Sequence, residues 1–103
     1  MVFYHGGGGF MGTAADYVAF CNRYAVESNV TIFNVDYRLC PENKAPAGIC
    51  DAYAALKHVI GNAEKFGVDV DKIAIFGESG GGWITTGVGM MLAERDEGDL
   101  VKF

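Results

Sequence analysis

The sequence is short of basic residues and of long apolar runs, and each shortage excludes a class of function. Eight lysines and arginines stand against 13 acidic residues, giving a net charge of −5, and the basic residues are scattered along the 103-residue chain. Because nucleic acids are bound through clustered positive charge, we expect no nucleic-acid partner. No apolar run reaches the roughly 18 to 20 residues that crossing a bilayer requires, so we expect no membrane span.

Cysteine is scarce and irregularly spaced. Cys21, Cys40 and Cys50 form an odd set without CxxC spacing, so the pattern predicts neither a disulfide framework nor a metal site. A reduced, cytoplasmic setting suits such cysteines best, and no basic segment followed by an apolar stretch indicates a signal peptide. The length is that of one modest domain, so we expect residues 1–103 to form a single one.

Strand and helix patterns alternate along the chain. Short β-branched and aromatic runs predict strands, and apolar residues at helical spacing predict helices between them. The predicted strands are Val2–Tyr4, Val30–Val35 and Ile73–Phe76, and the predicted helices cover 14–27, 49–60 and 80–93. Thr13 is the expected N-cap of the first helix, whose apolar stripe includes Tyr17. The apolar run 73–76 predicts a strand buried on both faces, and the apolar residues nearly all round 80–93 predict a buried helix. This order predicts an α/β fold with a three-stranded parallel sheet and helices on both faces. A sheet this small has two exposed edges, through which we expect the chain to self-associate.

Glycine is abundant, at 15 of 103 residues, and it clusters at 6–9 and 77–82. The second cluster contains Gly77-Glu78-Ser79-Gly80-Gly81, a G-x-S-x-G pattern lying directly after a predicted strand and before a helix. That context is typical of a nucleophile elbow, in which a tight turn exposes the serine hydroxyl and side chains two residues away would clash. Ser79 is therefore the candidate nucleophile.

The first glycine cluster follows the first strand as His5-Gly6-Gly7-Gly8. Glycines there allow backbone N–H groups to approach a developing oxyanion, although a flexible loop would have the same composition. A phosphate-binding loop is excluded because no Gly-Lys-Ser/Thr follows either cluster. A dinucleotide-binding half-domain stays open only because Asp36 follows the second strand.

Together these segments resemble the hormone-sensitive-lipase-like family of α/β-hydrolase carboxylesterases. The resemblance is carried by Tyr4-His5-Gly6-Gly7-Gly8 with Gly12, by 36–42 (DYRLCPE), by Pro46-Ala47 and Asp51, and by 77–82 (GESGGG). It implies carboxylic-ester hydrolysis through an acyl-enzyme, without metal or organic cofactor, on a small apolar ester. It also implies that the first strand lies in the middle of the sheet.

The same resemblance assigns roles to individual residues. Ser79 resembles the nucleophile, and the N–H groups of Gly7, Gly8 and Gly80 resemble the oxyanion hole. His5 resembles the motif histidine that braces the glycine loop, and the segment 36–42 resembles a structural turn whose buried charges pair. The chain departs from the family pattern at Gly9, where an aromatic residue is usual, and beside Ser79, where Asp and Ala are frequent.

The remaining triad members are missing from the sequence. In this fold the order along the chain is serine, acid, histidine, but no histidine follows Ser79, and His5 and His58 both precede it. We expect the sequence to be a truncated hydrolase half that is inactive by itself. The alternative is a catalytically inactive fold fragment or a small-molecule binding module.

Overall fold

The computed structural model describes residues 1–102 and consists of three strands with helices between them. The strands are β1 (Val2–Tyr4), β2 (Phe33–Val35) and β3 (Ile75–Gly77); the helices are α1 (Val18–Ser28), α2 (Ala47–Gly61), α3 (Ala63–Phe66) and α4 (Gly80–Glu94). Short 3₁₀ turns cover Ala14–Tyr17, Val70–Lys72 and Gly98–Leu100. The predicted alternation is confirmed, with β2 and β3 shorter than the apolar runs that predicted them.

The strands form one parallel sheet in the order β2-β1-β3. Val2 pairs with Phe33 on one side and with Ile75 on the other, which places β1 in the middle as predicted. Because parallel strands end at the same edge of a sheet, the loops after β1 and β3 are neighbours. Residues 6–9 lie in the first of these loops, and residues 77–82 span the end of β3, the turn after it and the start of α4.

Helices cover both faces of the sheet. On one face Phe3 packs against Tyr17, Phe20 of α1 and Phe76, with ring centroids 5.3 to 5.6 Å apart. The opposite face holds the main core, in which Val2 and Tyr4 of β1 join buried residues of α2 and α4. The buried helix residues of this core are Ala52, Leu56, Val59, Ile84, Val88 and Leu92.

Two expectations about burial need correction. Helix α4 carries apolar residues nearly all round and was expected to be buried, yet Trp83 and Met90 are 54% and 62% exposed. Its buried residues are Gly81, Ile84, Val88 and Leu92, which lie on one side only, because within residues 1–102 α2 and the sheet pack on that side. Strand β3 is likewise half-buried rather than enclosed, since it is an edge strand.

The entry into α1 follows the expected local chemistry. Thr13 was predicted as the N-cap, and its side chain accepts a hydrogen bond from the Asp16 N–H while the Asp16 carboxylate accepts from the Thr13 N–H. This reciprocal capping box orders the 3₁₀ turn that leads into α1. The turn brings Tyr17 next to the first glycine cluster.

Candidate active site at the carboxyl edge of the sheet

Ser79 lies in the turn between β3 and α4. Its backbone has φ 49° and ψ −115°, a left-handed conformation that residues with a side chain rarely adopt. Holding such a residue costs on the order of 1–3 kcal/mol, and the surrounding structure must supply it. Ser79 is exposed, and its hydroxyl has no hydrogen-bond partner among the described residues.

The glycines two residues either side of Ser79 are sterically required, as predicted. A Cβ on Gly77 would overlap the carbonyl oxygen of Gly81, and a Cβ on Gly81 would overlap the carbonyl oxygen of Tyr4. Both obstacles are backbone atoms and cannot rotate away. The G-x-S-x-G spacing is therefore explained by the close approach of the first turn of α4 to β3 and β1.

The glycine loop after β1 touches this turn directly. Gly7, Gly8 and Gly9 have φ values of 115°, 65° and 81°, which favour glycine strongly over residues with a Cβ. A Cβ on Gly80 would overlap the Gly8 nitrogen and would lie 2.7 Å from the Gly8 Cα. Loop and serine turn are thus in backbone contact, as expected if they form one site.

Three N–H groups of this contact are free within the described residues. Those of Gly7, Gly8 and Gly80 donate to no protein acceptor, although Gly81 and Gly82 donate to the carbonyl oxygens of Glu78 and Ser79. The N–H of Gly80 also lies at the N-terminus of α4, where the helix dipole favours negative charge. The arrangement is suited to an anionic oxygen placed beside Ser79.

His5 is completely buried beneath the glycine loop. Its ring stacks on Tyr37 at 4.4 Å between centroids, and the Tyr37 hydroxyl donates to the His5 carbonyl oxygen at 2.6 Å. Nδ1 donates to the Gly6 carbonyl oxygen at 2.7 Å, since that oxygen can only accept. Nε2 makes no hydrogen bond among the described residues and lies 3.7 Å from the Asp36 carboxylate. Nδ1 is thus engaged by Gly6, and Nε2 faces the Asp36 carboxylate, so neither ring nitrogen makes a recorded contact with Ser79.

The charges of the segment 36–42 were expected to be buried and to pair with each other, but Arg38 pairs with a residue outside the segment and the charged side chains are exposed. Arg38 makes a bidentate ion pair with Asp51 of α2, with N–O distances of 2.7 and 2.8 Å. The Arg38 guanidinium holds the pKa of the Asp51 carboxyl below its usual value. The side chains of Arg38 and Asp36 are 56% and 68% exposed, because this turn follows an edge strand. It therefore acts as a surface brace between β2 and α2.

Exposed apolar side chains border the glycine loop. Phe10, Met11 and Trp83 are between 54% and 59% exposed, and the Phe10 ring contacts Gly8 while the Trp83 ring lies over Gly9. Below Trp83 a small crevice is lined by Gly9, Tyr37, Arg38, Cys40, Ala45, Pro46, Gly48, Ile49, Trp83 and Ile84. Phe10, Met11 and Trp83 form an apolar rim, and an apolar group entering beside Ser79 would meet it.

Among residues 1–102 neither histidine is placed to act as a base at Ser79. His58 is exposed in the last turn of α2, and its Nδ1 lies 3.4 Å from the Asn62 amide nitrogen. Helices that connect parallel strands run antiparallel to them, so the end of α2 lies at the amino edge of the sheet, away from Ser79.

Within residues 1–102 no three His, Cys, Asp or Glu side chains are arranged to hold a metal ion.

Comparison with known proteins identifies the family to which this fold belongs. A profile of the α/β-hydrolase fold matches residues 1–102. The chain belongs to this family. It is 42% identical over 85 residues to carboxylesterase NlhH of Mycobacterium tuberculosis, and 34% identical over 97 residues to human arylacetamide deacetylase-like 3. The resemblance to hormone-sensitive-lipase-like esterases is confirmed at the level of the family.

The hyperthermophilic esterase of the archaeon Pyrobaculum calidifontis has a very similar structure. This α/β-hydrolase chain superposes on it with a TM-score of 0.94 and 44% identity, over 98% of this chain and 32% of that one. The alignment with NlhH covers 82% of this chain and 27% of NlhH. The alignment with human arylacetamide deacetylase-like 3 covers 94% of this chain and 24% of the human protein. The chain thus spans about a quarter to a third of the length of these relatives.

Sequence reasoning missed two features of this candidate site. Tyr17 was assigned only to the apolar stripe of a helix, yet its hydroxyl donates to the Glu78 carboxylate at 2.8 Å. No sequence signal links residues 61 positions apart. The exposed rim was also missed, although an apolar Phe10-Met11 pair following four glycines could have suggested it.

No helix among residues 1–102 is long and apolar enough to span a membrane.

Proposed function

We propose that this chain supplies the nucleophile and the oxyanion hole of a serine carboxylic-ester hydrolase. The observation that supports this most is the contact between two backbone segments: strained, exposed Ser79 lies beside the unpaired N–H groups of Gly7, Gly8 and Gly80. A turn that is merely structural gains nothing from a serine at φ 49°. Strain of this kind is typical of functional positions.

In the proposed mechanism the Ser79 hydroxyl attacks the carbonyl carbon of an ester. Its proton passes to a general base, and the carbonyl oxygen becomes an oxyanion that accepts hydrogen bonds from Gly7, Gly8 and Gly80. Collapse of this intermediate breaks the ester C–O bond, the leaving alcohol takes the proton from the base, and an acyl group stays on Ser79. Water then attacks the acyl group by the same steps, which releases the carboxylic acid and returns the proton to Ser79. Loss of one oxyanion-hole donor costs roughly 10²- to 10³-fold in rate in well-studied enzymes.

His5 has a supporting role in this scheme. Its buried ring fixes the carbonyl oxygen of Gly6 through Nδ1, next to Gly7 in the loop. The apolar rim of Phe10, Met11 and Trp83 favours a small apolar ester as substrate. The scheme needs neither a metal nor an organic cofactor.

The base and the acid of the triad are not among these residues. No histidine follows Ser79, and the buried His5 and exposed His58 are both unsuited to the task. We therefore propose that turnover requires residues outside this sequence, and that the 103-residue chain alone hydrolyses esters barely faster than its Ser79→Ala variant.

A hybrid enzyme tests the proposal. Residues 1–103 would replace the matching third of the Pyrobaculum calidifontis esterase, with which they share 44% identity. We expect this hybrid to hydrolyse short-chain p-nitrophenyl esters and Ser79→Ala to abolish turnover. A folded hybrid without turnover would instead favour a binding module. Robust Ser79-dependent turnover by the chain alone would contradict the missing-base argument.

A further inference from the structure

The Tyr17 hydroxyl connects the glycine loop with the serine turn. It donates a hydrogen bond to Oε2 of Glu78 at 2.8 Å, and Glu78 immediately precedes Ser79. Both atoms also lie against the Cα of Gly6, because a Cβ there would overlap the Tyr17 hydroxyl oxygen and the Glu78 carboxylate. Three segments that are distant in sequence therefore meet at one point.

The ring of Tyr17 is anchored independently of this hydrogen bond. It packs against Phe3 of the central strand at 5.6 Å and edge-on against Phe20 at 6.1 Å. The capping box formed by Thr13 and Asp16 orders the turn in which Tyr17 lies. The hydroxyl is thus held as a fixed donor, while Glu78 is an exposed side chain that would otherwise be free to rotate.

The acceptor is a carboxylate, which makes the hydrogen bond stronger than one between neutral groups. The Glu78 hydrogen bond is the largest cause of the raised pKa of Tyr17, and hydrogen bonding from the Gly6 backbone acts in the opposite direction. Tyr17 therefore remains a protonated donor at neutral pH. A carboxylate so close to Ser79 would disfavour a developing oxyanion if it turned toward it, and the hydrogen bond keeps it against Gly6.

We infer that Tyr17 is a positioning residue, whose hydroxyl, through Glu78 and beside Gly6, fixes the glycine loop relative to Ser79. The consequence for chemistry rests on the proposed function, because it concerns the relative placement of the Gly8 and Gly80 N–H groups. These two residues are in backbone contact, so a shift of either segment moves one donor away from the other.

Nuclear magnetic resonance of the 103-residue chain tests the connection itself. In Tyr17→Phe we expect the backbone amide signals of Gly6 to Gly8 and of Gly80 to shift, and the heteronuclear NOE of the loop to fall. Tyr24→Phe is the matched control, because Tyr24 packs in the same aromatic cluster and its hydroxyl makes no hydrogen bond among the described residues. Glycine signals that respond no more to Tyr17→Phe than to Tyr24→Phe would overturn the inference.

A second readout follows the hydroxyl proton. Glu78→Gln keeps an acceptor oxygen but removes the charge, so the pKa of Tyr17, followed at its ring Cζ, should fall toward the ordinary tyrosine value. An unchanged Tyr17 pKa would show that the carboxylate does not hold this proton.

The hybrid esterase separates positioning from packing. We expect Tyr17→Phe to lower kcat about tenfold with KM unchanged, because the lost interaction acts on the transition state. Glu78→Ala should match it, the double variant should be no worse than either, and Glu78→Gln should restore most of kcat. If Ser79→Ala abolishes turnover while Tyr17→Phe equals Tyr24→Phe, only the positioning role is wrong. If Ser79→Ala stays active, the proposed function is wrong. The nuclear magnetic resonance experiment then still decides whether Tyr17 connects the glycine loop with the serine turn.

Discussion

Alanine is frequent at the position of Gly80 in the family that the sequence resembles, but in this chain Gly80→Ala should push the glycine loop away from the serine turn, because the loop backbone lies directly against Gly80. The added Cβ would overlap the Gly8 nitrogen and lie 2.7 Å from the Gly8 Cα and 3.1 Å from the Gly9 nitrogen. Carbon atoms in contact normally stay about 3.5 to 4.0 Å apart, so loop and turn must separate by roughly 1 Å. The obstacles are backbone atoms, which cannot escape by changing rotamer.

The expected effect is larger on rate than on stability. A displacement of about 1 Å in a catalytic arrangement can cost roughly 10²-fold, or about 2.7 kcal/mol of transition-state stabilisation. Alanine gains up to about 1 kcal/mol over glycine in a helix, and this offsets part of the roughly 1–3 kcal/mol of overpacking. The free energy of unfolding should therefore fall by no more than about 2 kcal/mol.

The assay compares Gly80→Ala with Gly89→Ala in the hybrid esterase. Gly89 lies in the same helix, and a Cβ there meets nothing within 4 Å. We expect Gly89→Ala to keep kcat and to gain about 0.5–1 kcal/mol in urea unfolding. A Gly80→Ala enzyme whose kcat stays within about threefold of Gly89→Ala would refute the argument that this close contact sets the oxyanion hole.

Further predictions concern stability and assembly of the 103-residue chain. Leu56→Ala, in the centre of the core, should cost about 2–5 kcal/mol in urea unfolding, and a loss below about 1 kcal/mol would contradict the core assignment. The pKa of Asp51 is lower in the folded chain than in the unfolded one, so its carboxylate stabilises the fold at pH values above the ordinary carboxyl pKa. This stabilisation is lost as the pH falls through the pKa of the folded chain. Asp51→Asn should therefore abolish this part of the pH dependence of the free energy of unfolding. The exposed edges of β2 and β3 should make the chain self-associate in light scattering, and a monomer with a cooperative thermal transition would count against this.

Local chemistry made much of the fold predictable. The alternation of strands and helices, the Thr13 cap and the glycines flanking Ser79 all depend on neighbours in sequence, and the structure agrees with each. The order of the strands came from the family resemblance, because periodicity alone does not decide which strand is central.

Features that depend on distant neighbours were not predictable. The apolar circumference of α4 indicated burial, but exposure of Trp83 is decided by what packs on that side of the helix. The contact between Tyr17 and Glu78 depends on how two loops meet at the edge of the sheet. The roles of Ser79 and of the glycine N–H groups, and the cytoplasmic location, stay predictions.

Trapping the nucleophile tests the central claim most directly. The hybrid esterase would be treated with a fluorophosphonate, which transfers its phosphorus group to an activated serine oxygen with loss of fluoride, and the digested protein would be mapped by mass spectrometry. The account predicts a single adduct on Ser79, loss of turnover in step with labelling, and no adduct in Ser79→Ala. An adduct on another residue, together with turnover that persists in Ser79→Ala, would contradict it.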